Sequence, residues 1–253
     1  MAALLPRLVR QSTRQCARLP ILTQTRTFTS TERAAPSVYT PLESALLSSA
    51  LSHVPEHGFT SHSLALGARE NGYLDISINL FPKGTFDLVR YHLVQERMAL
   101  KDKVDLSAAE QAGRKLGMTE KIRSLVKERL RGNEKLGGRW QEALAIMSLA
   151  ENVPSSISEL AALSDEIWYL AGDKSSDSSW YTKRAMVAGV YASTEVFMTT
   201  DKSPDYRETW EFLDRRLEDC ATIGKLAGEV GPYMGFTASA VFNILRSKNV
   251  RLW

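Results

Sequence analysis

The stretch SISELAALSDEIWYLAGDKSSDSSWY, residues Ser156–Tyr181, gives the clearest indication of how this chain folds. From about Ser156, apolar and small residues recur at the spacing of one helical face: Ile157, Leu160, Ala161, Ser164, Ile167 and Trp168. This period predicts an amphipathic helix whose apolar side, including Trp168, is buried. After the polar loop, Asp177 or Ser178 can cap another helix, which we expect to run to about Thr200.

Helix signals continue on both sides of this stretch, and strand signals are almost absent. In the segment 140–147, Trp140, Leu144 and Met147 share one helical face. Ser203-Pro204 predicts the start of a helix with one face made of Trp210, Leu213, Leu217, Cys220, Gly224 and Ala227. A helix is predicted at Leu42–His53, before Pro55 and Gly58. Another is predicted at Thr60–Asn71, with Thr60 as N-cap and Gly72 as the end. Two more are predicted at 107–117 and 119–131. The sequence therefore predicts an all-α fold with one domain of nine or ten helices.

The first 35 residues differ in composition from the rest of the chain. They contain six Arg residues and one acid, Glu32, whereas the remainder is slightly acidic. An Arg- and Ser/Thr-rich segment with almost no acids is typical of a mitochondrial transit peptide. The sequence RTFTST, which begins at Arg26, predicts two-step processing that leaves Pro36 as the first residue. We expect residues 1–35 to be this leader, 36–230 the helical domain and 231–253 a C-terminal segment.

The usual signatures of catalysis and metal binding are missing from the sequence. Cys220 would be the one cysteine left after removal of the leader, which excludes a disulfide framework. His53 and His57 have helical spacing, but Pro55 lies between them and no acidic or Cys ligand set accompanies them. No Glu is followed by His three residues later, as a di-iron bundle would require. We therefore expect no metal or cofactor and no catalytic residues.

Trp180 permits two interpretations. It shares its helix face with Lys183 and Arg184, three and four residues later, which is unusual for a core residue. Exposed Trp with flanking Arg is typical of an interaction hot spot. In the alternative, Arg184 only stacks on Trp180 as a local cation–π pair. Further along this helix, a ridge of small residues allows either close helix packing or room for a ligand: Ala185, Ala188, Gly189 and Ala192.

The C-terminal segment has an amphipathic pattern. Met234, Ala238, Val241 and Leu245 form an apolar stripe, widened by Phe242 and Ile244, and the basic residues Arg246, Lys248 and Arg251 precede the terminal Trp253. A basic amphipathic helix of this kind suits a membrane surface with anionic lipids. Docking of a last helix on its own domain is an equally good interpretation. No apolar run reaches the roughly 20 residues needed to cross a bilayer.

Residues 59–88, FTSHSLALGARENGYLDISINLFPKGTFDL, resemble the helix-turn-helix head of TetR-type regulators. The likeness rests on the Phe-Thr start, the Gly at the turn and the Phe-Pro-x-Gly joint. It implies an all-α dimer with an apolar ligand pocket in the C-terminal helices. No basic residue lies between Arg69 and Lys83, and the expected recognition helix reads DISINLF. DNA binding requires cations and base-reading polar groups in this element, so the sequence indicates that this function is lost.

A closer resemblance is to the lipid-binding accessory proteins of ubiquinone biosynthesis, the ninth coenzyme Q protein family. It rests on Asp165–Asp219 and its motifs WYTKRAM, AGDxSxD and SPDxxxTWxFLxxR, and it covers residues 42–245. The resemblance implies a protein that is not itself an enzyme and binds isoprenoid lipids, including ubiquinone intermediates. It also implies association with the wider ubiquinone biosynthesis complex and presentation of substrate to the di-iron demethoxyubiquinone hydroxylase, at the matrix face of the inner mitochondrial membrane.

The resemblance also implies functional residues. The hydroxylase-binding patch corresponds to Asp165, Ile167, Asp177, Trp180 and Tyr181, to which the helix spacing adds Arg184. Membrane contact corresponds to the last helix, Pro232–Ser247, with Met234, Val241, Phe242, Leu245, Arg246 and Lys248. From the periodicity, we expect the lipid to contact Leu144, Met147, Leu163, Met186, Val190, Phe197, Phe212 and Leu213.

Two other functions compete with this one. A ligand-sensing DNA regulator would need a basic stripe on the third helix. An independent enzyme of quinone-ring modification would need a recognisable cofactor or metal set. The sequence contains neither feature.

Overall fold

The structure is a computed structural model that describes residues 39–104, 116–136, 138–173 and 179–222. In these residues the protein is all-helical, without a strand, as predicted. The α-helices are α1 (Pro41–Ser52), α2 (Val54–His57), α3 (Ser61–Glu70), α4 (Thr85–Lys103), α5 (Met118–Arg131), α6 (Trp140–Met147), α7 (Val153–Ala171), α8 (Ser179–Met198) and α9 (207–222). Short 3₁₀ helices occupy Asp75–Leu80, Glu134–Leu136 and Pro204–Tyr206. The helix predicted at 107–117 lies almost wholly outside the described residues.

Local side-chain caps explain where the early helices begin. At α1, the Thr40 side chain accepts a hydrogen bond from the Glu43 backbone, and the Glu43 carboxylate accepts one from the Thr40 backbone. At α3, the Thr60 hydroxyl accepts from the Ser63 backbone N–H, which confirms the predicted N-cap. Gly72 follows this helix with φ of 77°, a left-handed conformation that glycine adopts without steric cost.

Proline lies at the start of two helices, where the sequence pattern did not predict it. The first helix ends at Ser52, one residue before the predicted His53, and Pro55 lies in the first turn of the separate helix α2. The helix predicted from about Ser156 begins at Val153, with Pro154 in its first turn. Proline is tolerated in a first turn because those N–H groups have no partner within the helix. In both places it starts a helix.

The helices pack around two hydrophobic clusters. The first joins α1 to α4 with α6, and it includes the predicted face made by Trp140, Leu144 and Met147. Close packing of α1 on α3 depends on Gly67, since a Cβ there would lie 2.5 Å from the backbone nitrogen of Ala50. Any larger residue at position 67 would force the two helices apart.

The second cluster joins α4, α5, α7, α8 and α9, and it positions the candidate site. Leu213 and Leu217 are buried in it, while Trp210 and Cys220 pack against it, which confirms the described part of the predicted α9 face. Asp201 caps this region together with the predicted Ser203: the Asp201 carboxylate accepts hydrogen bonds from the backbones of Ser203 and Thr209, and the Ser203 hydroxyl accepts one from the Glu208 backbone. Although burial raises the pKa of Asp201, its hydrogen bonds with Thr209 and Ser203 outweigh that effect and lower the pKa to about 2.

A search of the described helices finds none that is long and apolar enough to cross a membrane.

Candidate functional site: an inter-helical cavity and a neighbouring aromatic surface

A mostly apolar cavity lies among helices α4 to α8. Its volume is about 280 Å³, and its wall includes Leu93 of α4, Leu144 and Met147 of α6, and Leu160 and Leu163 of α7. This size is near the lower end of small-molecule sites in proteins. Three residues expected to contact lipid, Leu144, Met147 and Leu163, therefore come together around one space. They belong to the consecutive helices α6 and α7.

The outer part of the cavity explains one error in the predicted α7 stripe. Ile157 lines the cavity, yet 61% of its surface is exposed. Ala161, also assigned to the buried face, is exposed as well. The buried face of α7 instead follows Leu163, Ser164, Ile167 and Ala171. Ile157 is therefore a residue of the cavity mouth.

A buried polar cluster forms another part of the cavity wall, with residues from α4, α5, the turn after α5, and α8. One guanidinium nitrogen of Arg129 donates a hydrogen bond to the Asn133 side-chain oxygen at 3.0 Å, and the His92 Nε2 approaches the same oxygen at 3.0 Å. The Asn133 amide donates to Glu195 at 3.2 Å, and the Tyr191 hydroxyl donates to the same carboxylate oxygen at 2.8 Å. Arg129, Tyr191 and Glu195 all line the cavity.

Burial controls the charges in this cluster. Burial raises the pKa of Glu195, and the nearby Arg129 charge and its hydrogen bonds with Tyr191 and Asn133 oppose that rise. Burial and the Arg129 charge lower the pKa of His92 to about 4, which makes its imidazole neutral at physiological pH. The cluster therefore offers polar groups to the cavity with little net charge beyond Arg129 and Glu195.

A second arrangement lies on the surface between α7 and α8. The Arg184 guanidinium stacks over the Trp180 ring at 3.7 Å from the ring centroid, and its Nε donates to the Asp165 carboxylate at 2.6 Å. The Tyr181 ring packs edge-on against Trp180 with centroids 4.7 Å apart, and 75% of Tyr181 is exposed. We call Asp165, Trp180, Tyr181 and Arg184 the Trp180 surface. Trp180 is half-buried and stacked by Arg184. The stacking agrees with a local cation–π pair, and the exposed part of the ring agrees with an interaction hot spot.

Comparison with known proteins places the chain in a family. A family profile described as COQ9 matches residues 153–224, the region of α7, α8 and α9. The mitochondrial ubiquinone biosynthesis protein coq9 of Schizosaccharomyces pombe is 37% identical over 207 residues, which is 81% of this chain and 80% of that protein. The chain belongs to the COQ9 family of ubiquinone biosynthesis proteins.

Mammalian COQ9 proteins show a similar relationship over a smaller share of their own length. The mitochondrial ubiquinone biosynthesis protein COQ9 of Homo sapiens is 36% identical over 195 residues, 75% of this chain and 60% of the human protein. That of Rattus norvegicus is 35% identical over 75% of this chain and 62% of the rat protein. The chain thus spans less than two thirds of these two relatives.

The other residues expected to contact lipid lie elsewhere in the COQ9 fold. Met186 and Val190 line an open groove of about 520 Å³ between α8 and α9, together with the exposed small residues Ala185 and Gly189. Phe197 and Phe212 stack on each other with ring centroids 4.7 Å apart and an interplanar angle of 4°. Leu213 is a fully buried member of the second hydrophobic cluster. The residues that periodicity predicted to contact lipid therefore include residues of the cavity, of the α8–α9 groove and of the core.

The residues implied for partner and membrane contact divide in a similar way. Ile167 is fully buried in the second cluster, so it can support the Trp180 surface only from beneath. Trp168 packs against the same cluster, as predicted, and its indole N–H donates to the Lys183 carbonyl at 3.0 Å. Asp177 and the whole C-terminal segment, including Met234, Val241, Phe242, Leu245, Arg246 and Lys248, lie outside the described residues.

The sequence prediction missed the polar end of the cavity. Arg129 follows Ile122, Leu125 and Val126 at helical spacing, so a cation interrupts the apolar face of α5. Glu195 interrupts the apolar face of α8 in the same way, four residues after Tyr191. Charged residues are rarely buried unless they are paired, and this is the signal that could have identified the cluster. Within the described part of the chain, no group of three His, Cys, Asp or Glu residues is arranged to hold a metal ion.

Proposed function

We propose that this COQ9-family chain is a non-catalytic carrier of isoprenoid quinone intermediates in ubiquinone biosynthesis. The observation that carries this proposal is the apolar cavity bounded by Leu144, Met147, Leu160 and Leu163, with a polar cluster at one end. A cavity with apolar walls and a few convergent polar groups suits a molecule that has an oily chain and an oxygen-bearing ring.

The energetics of extraction support a carrier. Each buried CH₂ group is worth about 0.8 kcal/mol, so a five-carbon isoprenoid unit costs about 4 kcal/mol to move from the membrane into water. An apolar cavity offsets this cost for the part of the ligand that it encloses. A volume of about 280 Å³ matches roughly nine water molecules. It therefore accepts one end of a polyprenyl lipid, and the remainder of the tail lies outside it.

We further propose that the Trp180 surface binds the di-iron demethoxyubiquinone hydroxylase and that the lipid is presented to this enzyme. The support is the combination of a largely exposed Tyr181, a half-buried Trp180 and an Arg184 that is already held by Asp165. Tyr, Trp and Arg are the residues most enriched at interaction hot spots. Pre-ordering of these side chains reduces the entropy lost on binding.

We also propose a location in the cell and an oligomeric state for the protein. Residues 1–35 act as a transit peptide, and residues 231–253 contact the matrix face of the inner membrane. Residues 36–230 form a TetR-like domain. Its vestigial helix-turn-helix part is at about 42–100, and its lipid-pocket part is at about 101–230. The functional unit is a homodimer within the ubiquinone biosynthesis complex. Curated relatives carry mitochondrial names, which favours the location.

The rival DNA-binding function has little support from the corresponding element. The segment expected to be the recognition helix is the 3₁₀ helix Asp75–Leu80, and Leu74 and Ile76 beside and within it are 77% and 72% exposed. Arg69, which precedes this element, is paired with Asp75 at 2.5 Å. Apolar side chains and a neutralised arginine are poorly suited to a phosphate backbone.

Solvent extraction of the purified protein followed by mass spectrometry tests the carrier function. We expect prenylated quinones or related isoprenoids to be enriched over an unrelated helical control of similar size. Absence of lipid from freshly purified, folded protein would contradict the carrier function and favour a purely protein-bridging role. DNA retardation by the same protein would support the regulator, and turnover of a quinone ring without a partner would support the enzyme.

A further inference from the structure

The cavity wall contains a guanidinium group whose hydrogen bonds are incomplete. Arg129 is only 1% exposed, yet two of its three nitrogens, Nε and one terminal nitrogen, have no hydrogen-bond partner among the described residues. The third nitrogen donates to Asn133. Unsatisfied buried donors are rare and destabilising in native proteins. Arg129 lines the cavity, and because its two unpartnered nitrogens have almost no accessible surface, an occupant reaches them only by displacing the side chains that cover them.

The surroundings of Arg129 do not supply the missing acceptors. The Tyr191 ring lies 5.8 Å from the guanidinium carbon, which stabilises the positive charge but does not replace two N–H···O bonds. Glu195 accepts hydrogen bonds from Tyr191 and Asn133 through one carboxylate oxygen. The free donors of Arg129 therefore have no acceptor in the part of the chain that the structure describes.

We propose that Arg129 is the polar anchor of the cavity and binds the ring oxygens of a neutral quinone or phenol ligand. This inference rests on the proposed carrier function and specifies which end of the lipid enters. Ring carbonyl, hydroxyl and methoxy oxygens are acceptors that match the two free N–H donors. The apolar residues Leu160 and Leu163 enclose the ring and the first part of the tail.

A neutral ligand fits this end of the cavity better than an anionic one. The Glu195 carboxylate is 6% exposed and lines the same wall as Arg129, so it partly offsets the positive charge and repels an anion. The rest of the wall is mainly apolar, and a second buried charge would lose its hydration there. A lipid phosphate or carboxylate head is therefore disfavoured.

The orientation has a consequence for presentation. The ring lies at the buried wall near Arg129, and the tail leaves past the exposed Ile157. Transfer to an enzyme then requires the ring to leave the cavity instead of being displayed at the surface throughout. Arg129 holds the ring during transport and is a positioning residue, with no role in bond-making.

Binding of two matched probes tests the inference. One probe is a methoxy-substituted 1,4-benzoquinone with a single prenyl chain, and the other is a prenylated benzene of similar size without oxygens. Dissociation constants are measured for the wild-type protein, for Arg129→Met, and for Arg131→Met as a control. Arg131 is on the same helix, and half of its side chain is exposed. We expect wild type and R131M to bind the quinone at least tenfold more tightly than the hydrocarbon, and R129M to lose this preference.

The outcomes separate the inference from the carrier function. Equal binding of both probes by wild type, or an unchanged preference in R129M, would contradict the role of Arg129 as anchor. Neither result would contradict the proposed carrier function. Failure of wild type to bind either probe would overturn both. Tighter binding of a prenyl phosphate than of the quinone would contradict the inference that the ligand is neutral.

A spectroscopic measurement on wild type avoids dependence on the folding of the variant. The infrared carbonyl band of the bound, ¹³C-labelled quinone is compared with its band in an apolar solvent. Hydrogen bonds from a guanidinium weaken the carbonyl bond, so we expect a clear shift to lower frequency. An unshifted band in the bound state would contradict the assignment of Arg129.

Discussion

Two groups made of the same three kinds of side chain lie in opposite environments in this protein. Arg129, Tyr191 and Glu195 combine an arginine, an aromatic ring and a carboxylate inside the helical bundle, while Arg184, Trp180 and Asp165 do so at the surface. The surface arginine lies 3.7 Å above its ring and is bonded to its carboxylate. The buried arginine lies 5.8 Å from its ring and has two nitrogens without a partner among the described residues.

On the basis of this difference we propose separate binding partners for the two groups. At the surface, the Asp165–Arg184 pair fixes the aromatic rings, and the rings provide the area that another protein would contact. In the interior, the aromatic ring and the carboxylate leave donors available to a small molecule. Burial multiplies the cost of an incomplete hydrogen-bond set, so the interior group should be far more sensitive to substitution than the surface group.

The largest effect is expected from replacement of Glu195 by leucine. This change preserves volume but leaves the Tyr191 hydroxyl and the Asn133 amide without their acceptor, beside an uncompensated Arg129 charge. We expect a loss of about 3 kcal/mol in the free energy of unfolding, measured by urea denaturation at neutral pH. Glu211→Leu, at an exposed α9 position, is the control. Comparable losses in the two variants would remove the distinction between interior and surface.

An effect of comparable size is expected from pH, through His92. Its pKa is lowered to about 4 in the folded protein, against about 6.5 when unfolded, so the unfolded chain binds a proton more readily between these values. The contribution of His92 is fully present above pH 6.5 and is lost as pH falls towards 4, by up to about 3 kcal/mol. Denaturation curves of wild type and His92→Gln at several pH values measure it. A loss between pH 6.5 and 4 that is equally steep in H92Q would exclude His92 as the cause.

Substitution of Trp180 by lysine should affect partner binding instead of folding or lipid content. Loss of the central ring of the Trp180 surface is expected to weaken binding of the hydroxylase by about 2 kcal/mol or more, roughly 30-fold. Titration with the purified enzyme measures this, and extraction with mass spectrometry measures bound lipid. Tyr73→Lys, at an exposed aromatic position after α3, is the control. If W180K lost both enzyme and lipid, the separation of roles would be wrong.

The smallest effect is expected from Asp165→Asn. The Asp165 side chain is 57% exposed, so its ion pair with Arg184 contributes less than about 1 kcal/mol to stability. We expect the difference between D165N and wild type to shrink further in 1 M salt, where charges are screened within about 3 Å. A loss as large as that of the Glu195 variant, or one that salt does not change, would show that this pair behaves as a buried one.

The sequence predicted best those features that depend on near neighbours in the chain. The Thr60 cap, the end at Gly72 and the face shared by Trp140, Leu144 and Met147 each follow from a few adjacent residues, and the structure confirms them. Proline is ambiguous at this level, because Pro154 starts a helix just as readily as a proline ends one.

The candidate site depended on contacts that periodicity does not reveal. Core and cavity residues share one apolar pattern, so Leu163 at the cavity and Leu213 in the core could not be distinguished by sequence. The Asn133–Glu195 hydrogen bond joins residues 62 positions apart. Only the tertiary fold brings these groups together.

Photocrosslinking gives the most direct test of the claim that the inter-helical cavity holds the lipid. A prenylated benzoquinone with a photoreactive group on its tail is bound to the purified protein, irradiated, and mapped by peptide mass spectrometry. We predict adducts on the cavity residues of α6 and α7, around Met147, Ile157 and Leu163, that excess unlabelled quinone suppresses. Adducts concentrated at Met186 in the α8–α9 groove, or labelling that competitor does not reduce, would contradict the account.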